Sequence, residues 1–312
     1  MKSFVVWVLL LPSFTYAQLG HQTRALVDSG TTGNSGRCVP LYRSAWLPKN
    51  TNLQMLFNFD GSGTIANGAT LTGVVPGVDA TATIASSTLT YSNHAAAPSP
   101  LANLRQSLSA TGNANDIINA GTSAGITDMA AGTWSFWVNM AMPSGNNQRF
   151  FYKSDSNGSR GYYFILETTG QFGFIKVHAT NNMQLFTCPI NSTYFASSWH
   201  HIVVTWDGTS AATSAKIYMD GTELSYTGAA DPRITAGCAN YASYGGYNWR
   251  QAGTGTVNSD AAYPLYLTGV PASTTSNPAT VAFNGKMDEF AVWNTVLSPA
   301  EVATLYKHQK CN

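Results

Sequence analysis

The residues best suited to ligand chemistry lie in one short segment that is rich in aromatic side chains, Gly, Ser and Asn. Segment 238–250 (CANYASYGGYNWR) contains four aromatic residues and one arginine: Tyr241, Tyr244, Tyr247, Trp249 and Arg250. Aromatic rings stack on the apolar face of a sugar, and Asn, Tyr and Arg donate hydrogen bonds to its hydroxyl groups. The segment therefore predicts a carbohydrate-binding site. The alternative is that these rings cover a sheet as a small core beneath a long loop.

Patterns typical of catalysis are weak in this chain. Residues 121–125 match a GxSxG pattern, but a nucleophilic Ser123 needs a strand before it and a helix after it, whereas both flanks have the composition of loops. Glycan hydrolysis usually needs two carboxyl groups roughly 5–10 Å apart. The four glutamates do not form an alternating acidic pattern on one strand: Glu167, Glu223, Glu289 and Glu301. The sequence therefore predicts no catalytic residue.

Two adjacent histidines, His200 and His201, follow Trp199 in an apolar run that is typical of a strand. Successive side chains of a strand point to opposite faces, so these two imidazoles cannot chelate one metal ion together. We interpret the histidines as structural residues beside Trp199.

The composition favours a neutral β-protein. Charged residues make up 10% of the chain, the formal net charge is +1, and Gly is abundant with 28 residues. Thr, Ser and Tyr are also frequent, which suits an antiparallel sandwich with polar outer faces. The sequence has no basic stripe of the kind that nucleic-acid binding requires.

The N-terminus predicts export. Residues 1–17 carry Lys2, then eight apolar residues from Phe4 to Leu11, and then small residues for cleavage near Ala17. The apolar run is too short to span a bilayer, and no later segment approaches a transmembrane length. We therefore expect a secreted, periplasmic or cell-surface protein of about 295 residues after cleavage.

The stretch from Trp199 to Leu224 (WHHIVVTWDGTSAATSAKIYMDGTEL) predicts a β-hairpin followed by a further strand. Its first apolar run alternates as a strand that is covered on both faces. A second strand spans 216–219, and Asp220-Gly221 predicts a tight turn with positive φ angles.

This stretch resembles the laminin G-like subgroup of the concanavalin A-like jelly rolls. WSFWV at 134–138 and FNGKMDEFAVWNTVL at 283–297 resemble two other recurrent segments of that family, so the resemblance covers roughly residues 52–308. It implies an all-β fold: a jelly-roll sandwich of two antiparallel sheets, each with about six or seven strands. We expect residues 18–50 to be irregular and the domain to span 51–312.

Individual elements can be assigned within this frame. Strands are predicted at 53–60, 104–108 and 116–118, and a hairpin joins strands at 162–167 and 172–177. Residues 228–280 have few strand signals and are interpreted as a long insertion. Ser298-Pro299-Ala300-Glu301 is a capping box with Pro at the first helical position, which predicts a short helix from Pro299 to about Lys307.

The resemblance also implies a possible metal site. Domains of this fold often hold Ca²⁺ between the loop after the first strand and the start of the last strand, with carboxylate and carbonyl oxygens as ligands. The matching residues are Asp60 and Asp288, and Ca²⁺ is expected to be structural. The alternative is that Asp60 caps its own turn and Asp288 accepts hydrogen bonds from backbone amides.

Four cysteines remain after export, and an even number favours disulfides with three possible pairings. Because the first and last strands usually lie side by side in the resembling fold, that fold implies the pairs Cys38 with Cys311 and Cys188 with Cys238. A zinc site is disfavoured because no CxxC or Cys-His spacing occurs.

These features predict a non-catalytic module that binds a glycan or cell-surface polysaccharide. The main alternative is a module that binds an extracellular protein within a larger assembly, and the weaker alternative is a glycan-active hydrolase or lyase. A fold of this kind hosts all three classes, so the fold alone does not choose among them.

Overall fold

The computed structural model divides the chain into residues 1–35 and 36–312. The residues that the structure describes all lie in the second unit: 47–75, 79–83, 89–93, 106–113, 116–155, 158–195, 198–226, 231–235, 250–271 and 282–310. The predicted signal sequence and most of segment 18–50 therefore lie outside the described residues.

Strands dominate the described residues. In chain order the strands are β1 Leu53–Phe57, β2 Thr70–Leu71, β3 Ala80–Thr83, β4 Thr90–Asn93, β5 Gln106–Thr111, β6 Ile117–Asn119, β7 Gly132–Asn139, β8 Gln148–Lys153, β9 Tyr162–Leu166, β10 Phe172–Lys176, β11 Met183–Phe186, β12 Trp199–Trp206, β13 Ala215–Met219, β14 Thr222–Glu223, β15 Arg250–Gln251, β16 Tyr266–Leu267 and β17 Asn284–Trp293. The α-helices are α1 Ser192–Phe195 and α2 Pro299–Gln309, and short 3-10 helices span Asn50–Asn52 and Ala124–Ile126.

The strands form two antiparallel sheets, which confirms the predicted all-β sandwich. The smaller sheet has eight strands in the order β14-β13-β12-β7-β17-β5-β4, and β1 also pairs with β17. The larger sheet has nine strands in the order β15-β11-β10-β9-β8-β16-β6-β3-β2. Both sheets have more strands than the six or seven expected, because two-residue strands such as β14 and β15 add to their edges.

The core lies between the inner faces of the two sheets. In β7, Trp134, Phe136 and Val138 point inward and are fully buried, and Phe151 from the larger sheet stacks on Trp134 with ring centroids 5.5 Å apart. Burial of a large apolar side chain contributes roughly 1.5–3 kcal/mol, so this aromatic layer supplies much of the stability. The alternation of apolar residues in the WSFWV segment therefore reflects a packed inner face.

The central strands of the smaller sheet are covered on both faces, as the sequence predicted for β12. Ile202 and Val204 belong to the inner core, whereas Val203 packs on the outer face with Tyr218 and Leu305 of α2. The covering helix begins with the predicted capping box: the Glu301 backbone N–H donates to Ser298 Oγ, and the Ser298 N–H donates to the Glu301 carboxylate.

The turn between β13 and β14 matches its sequence signal closely. The β13–β14 turn has φ angles of 54° at Asp220 and 78° at Gly221, which is the geometry that an Asp-Gly pair favours.

The first and last strands pair antiparallel, with Phe57 opposite Phe290. The predicted strand 53–60 ends earlier, at Phe57, so Asp60 lies in the loop that follows β1.

The cysteine pairing lies largely outside the described residues. Cys188 is fully buried and disulfide-bonded. Cys38, Cys238 and Cys311 fall outside the described ranges, so the two proposed pairs stay predictions. Within those ranges, no helix has the length and apolar character that a bilayer crossing needs.

Candidate functional site

A polar groove lies at one end of the smaller sheet, where β5 and β7 end and β17 begins. Strand pairing places Lys286 between Ser109 of β5 and Asn139 of β7. The next residue of β17, Met287, belongs to the inner core. Because strand side chains alternate between faces, the three residues form a row on the outer face with strand spacings of roughly 4.8 Å. A cavity of about 500 Å³ opens beside this row.

The lining of the groove is mostly neutral and polar. Amide side chains come from Asn139, Asn146, Gln148 and Asn284, and hydroxyl groups come from Ser109, Thr111 and Ser144. Apolar surface is contributed by Ala110, Met140, Ala141, Met142, Pro143 and Ala282. A volume of this size is typical of small-molecule sites, which span roughly 300–1,000 Å³.

Several of these polar side chains are available to a ligand. Within the described part of the chain, the side chains of Ser109, Thr111, Ser144, Asn284 and Lys286 make no hydrogen bond or ion pair. Asn284 is exposed, and Ser109 and Lys286 are partly exposed. Each retains its full hydrogen-bonding capacity for groups that enter the groove.

One wall of the groove is fixed by a buried glutamine. Gln148, the first residue of β8, accepts a hydrogen bond from the Asn284 backbone N–H through Oε1 at 2.6 Å and donates to the Asn146 carbonyl at 3.4 Å. The bond to Asn284 joins the start of the larger sheet's β8 to the start of the smaller sheet's β17. The groove is therefore held by both sheets.

The predicted aromatic sugar-binding segment lies mostly outside the described residues. Tyr241, Tyr244, Tyr247 and Trp249 fall in the undescribed range 236–249. Arg250 is exposed on the edge strand β15, and its guanidinium carbon lies 4.2 Å from the centroid of the Tyr226 ring. The binding role of this segment stays a prediction.

The two predicted metal ligands lie close together. Asp60 lies in the loop after β1, which pairs with the strand that carries Asp288, and the two carboxyl groups interact electrostatically. Asp288 is fully buried, and its pKa is raised well above the usual range by burial and, to a smaller extent, by the charge of Asp60. Its Oδ1 accepts a hydrogen bond from the Glu289 N–H at 2.8 Å, and Asn58 donates to Asp60 at 3.0 Å.

Backbone strain accompanies both carboxylates. Phe59, which precedes Asp60, has a φ of 45°, and Glu289, which follows Asp288, has a φ of 50°. Non-glycine residues adopt such angles at a cost of roughly 1–3 kcal/mol, and strain of this kind concentrates at ligand sites. Within the described ranges, no group of three or more His, Cys, Asp or Glu residues converges. A cation here would therefore take its other ligands from backbone carbonyls and water.

The adjacent histidines have separate structural roles, as expected from their alternation. His200 stacks on Phe195, and its Nδ1 lies 2.8 Å from Asp220 Oδ2. His201 points to the opposite face, where its Nε2 lies 2.8 Å from Ser135 Oγ. Burial lowers the pKa of His201 to about 4.

Ser123 does not lie in a nucleophile elbow. It follows the short strand β6 and precedes the single 3-10 turn Ala124–Ile126, whereas an elbow joins a strand directly to an α-helix. Its Oγ is buried and has no hydrogen-bond partner among the described residues.

A buried charge cluster, which sequence reasoning missed, holds the loop before β16. Lys153 of β8 and Lys176 of β10 both lie opposite Tyr162 of β9, so they share its inward face. The Nζ of Lys153 lies 3.3 Å from Asp260 Oδ1, and that of Lys176 lies 3.9 Å from Asp260 Oδ2. Burial lowers the pKa of both ammonium groups, and the Asp260 charge opposes this effect.

The loop that carries Asp260 is fixed by further bonds to these groups. Lys153 donates to the backbone carbonyls of Asp260 at 2.8 Å and Tyr263 at 2.6 Å. The Asp128 carboxylate accepts hydrogen bonds from the Asp260 N–H and from Ser259 Oγ, both at 2.7 Å. Because Lys153, Lys176 and Asp260 are buried, these bonds tie the loop to the larger sheet.

Comparison with known families agrees with this fold. Residues 111–260 match a family described as the concanavalin A-like lectin/glucanases superfamily, in its laminin G type. The laminin G-like resemblance of the sequence is thus confirmed, and the matched range spans β6 to β15 together with the buried charge cluster. No curated protein matches the chain in sequence.

Solved structures share this fold at low sequence identity. The receptor-binding domain of botulinum neurotoxin type G is 13% identical with a TM-score of 0.52, and that of the botulinum neurotoxin C/D mosaic is 11% identical with a TM-score of 0.53. The binding domain of Paraclostridial mosquitocidal protein 1 is 12% identical with a TM-score of 0.50. The alignments cover 83%, 83% and 82% of this chain.

The chain spans about half the length of these structures, with 51%, 52% and 52% of their chains covered. At this identity the similarity shows a shared fold and nothing more.

Proposed function

We propose that this protein is an exported, non-catalytic carbohydrate-binding module and that its sugar site is the polar groove at the ends of β5 and β7. The observation that carries the proposal is the set of unpaired hydroxyl, amide and ammonium groups around a cavity of about 500 Å³. Sugar hydroxyls both donate and accept hydrogen bonds, so amides and hydroxyls that do both are their natural partners.

Three further observations support this proposal. Gln148 of the larger sheet fixes the groove wall through its bond to Asn284 of the smaller sheet, which lowers the ordering cost of binding. The partly exposed side chains of Met142 and Pro143 offer an apolar surface against which a sugar ring can pack. Two of the similar structures are named as receptor-binding domains, so a laminin G-like sandwich can support a binding role.

Filling the groove is expected to abolish glycan binding without unfolding the protein. Thr111 is exposed at the end of β5, so Thr111→Trp places a large ring over the cavity while leaving the core intact. The measurement is a glycan array on the mature protein, followed by titration of the best glycan. The matched control is Thr222→Trp, because Thr222 is also exposed and lies on the far edge strand of the same sheet.

The array also separates this groove from the aromatic segment. If Trp249→Ala abolishes binding and Thr111→Trp leaves it unchanged, the site lies in segment 238–250 and the groove assignment is wrong. If the wild type binds no glycan on a broad array and instead purifies with a specific protein, the carbohydrate function itself is wrong. Release of reducing ends from a polysaccharide would overturn the non-catalytic assignment.

We also propose that Asp60 and Asp288 bind a structural Ca²⁺. The proposal is supported by the buried Asp288 carboxyl, by the nearby charge of Asp60 and by the strained backbone at Phe59 and Glu289. The hard cation would compensate two carboxylates that otherwise disfavour each other's ionisation.

Removal of calcium is expected to lower the melting temperature of the wild type but not that of Asp288→Asn. The pKa of Asp288 is raised in the folded state, so its contribution to stability is present at low pH and is lost as pH rises above its unfolded value of 3.8. At neutral pH the metal offsets this loss, and the amide avoids it. Thermal unfolding at pH 7 with EDTA or with millimolar Ca²⁺ provides the measurement. Equal melting temperatures of the wild type in both conditions would contradict the calcium site.

A further inference from the structure

The charge distribution of the groove is asymmetric. Among the described residues that line it, Lys286 is the one charged residue and none is acidic. The ammonium group is partly exposed and forms no ion pair with any described residue. The nearest acidic residue along the strand is Asp288, which is fully buried and whose pKa is raised by burial.

The neighbours of Lys286 are suited to a charged ring. Ser109 and Asn139 flank it in one row across three strands, at spacings of roughly 4.8 Å. An anionic group at the centre of this row would contact the ammonium, and the hydroxyl groups of the same sugar would face the neutral side chains on either side. In a concave site with partly excluded water, such a charge-assisted hydrogen bond is stronger than a neutral one.

We infer that the groove selects acidic saccharides, in which a carboxylate or sulfate binds Lys286. This inference rests on the proposed carbohydrate function and adds the class of ligand. A neutral sugar would leave the lysine unpaired, whereas an anionic sugar meets a cation and no opposing carboxylate. Both groups are anions carried by a sugar, and the experiment below distinguishes carboxylated from sulfated glycans.

The test uses an array that carries uronic acid, sialic acid, sulfated and neutral glycans. The best carboxylated oligosaccharide is then titrated beside its methyl ester, which keeps the ring and removes only the charge. We expect the ester to bind about 10- to 100-fold more weakly, which corresponds to the loss of one charge-assisted hydrogen bond. A sulfated glycan is compared with its desulfated form in the same way.

Lys286→Ala is expected to cause a similar loss for the acidic glycan and little change for its neutral counterpart. The matched control is Lys216→Ala, because Lys216 is an exposed lysine in the same sheet. Thr205 of β12 pairs with Lys216 on one side and with Thr133 of β7 on the other. Lys216 is therefore level with Thr133, which is at the opposite end of β7 from the groove. The distance along the strand is roughly 20 Å. Binding by the wild type is also expected to weaken as salt rises, because exposed charges are screened.

The outcomes separate the two proposals. Strong binding of neutral glycans that Thr111→Trp abolishes and Lys286→Ala does not affect would overturn the acidic preference and leave the carbohydrate function intact. Equal binding of the acid and its methyl ester would also overturn the acidic preference alone. Absence of any glycan binding would overturn both.

Discussion

Replacing Asp260 with alanine is expected to lower the free energy of unfolding by about 3–5 kcal/mol, because it leaves buried ammonium groups without a counter-charge. Lys153 and Asp260 have fully buried side chains, and Lys176 is almost fully buried. The Asp260 carboxylate is within 4 Å of both lysines, so one substitution affects two ion pairs. Their pKa values are already lowered by burial, and removal of the aspartate would lower them further.

Urea unfolding of wild type, Asp260→Ala and Asp260→Asn measures this effect. Asparagine preserves the shape of the side chain but removes its charge. A large loss of unfolding free energy in both variants therefore assigns the effect to charge. A loss in the alanine variant alone assigns it to packing. Asp207→Ala is the control, because Asp207 is exposed and its carboxylate accepts hydrogen bonds from the nearby Thr209 in the same turn. A change below about 1 kcal/mol in Asp260→Ala, the range of exposed pairs, would contradict the role of the cluster.

Acidification is expected to destabilise the protein by about 3 kcal/mol through His201 alone. The unfolded histidine takes up a proton near pH 6.5, whereas the buried imidazole in the folded protein does so near pH 4. Between these values the unfolded chain binds more protons. The contribution of neutral His201 is therefore fully present above pH 6.5 and is lost as pH falls to 4.

The variant His201→Gln isolates this contribution. Glutamine does not titrate and can still hydrogen-bond to Ser135, which lies 2.8 Å from Nε2 in the wild type. Urea unfolding at steps between pH 7 and 4 gives the stability of each protein. The difference in free energy of unfolding between wild type and variant should shrink as pH falls. A constant difference across this range would show that His201 titrates normally.

The fold was largely predictable because its signals are local. Alternation in WSFWV and WHHIVVTW defined β7 and β12, Asp220-Gly221 defined a turn, and the Ser298 capping box defined α2. Each pattern depends on residues that are neighbours in sequence. The helix extends to Gln309, two residues beyond the predicted end, since its last turn packs beneath the sheet with Gln309 fully buried.

The groove was not predictable because its residues meet only through strand pairing. Ser109, Asn139 and Lys286 lie on three strands that are far apart in sequence, and each alone has the composition of a strand end. The buried lysines gave no signal either. Lys153 and Lys176 end their strands, where lysine usually reaches solvent, and only their common partner Tyr162 shows that they face inward.

The proposed metal ligands were partly predictable. Asp60 and Asp288 were selected through resemblance to a family, and the structure adds that their carboxyl groups interact electrostatically. Burial of Asp288 and the positive φ of Glu289 are features that only the structure supplies.

The central claim is that the groove at the ends of β5 and β7 binds carbohydrate. A crystal structure of the protein with the best oligosaccharide from the array tests it most directly. We expect density for a sugar ring between Ser109, Asn139 and Lys286, with its anionic group at the lysine. Density for the sugar at another surface, with this groove filled only by solvent, would contradict it.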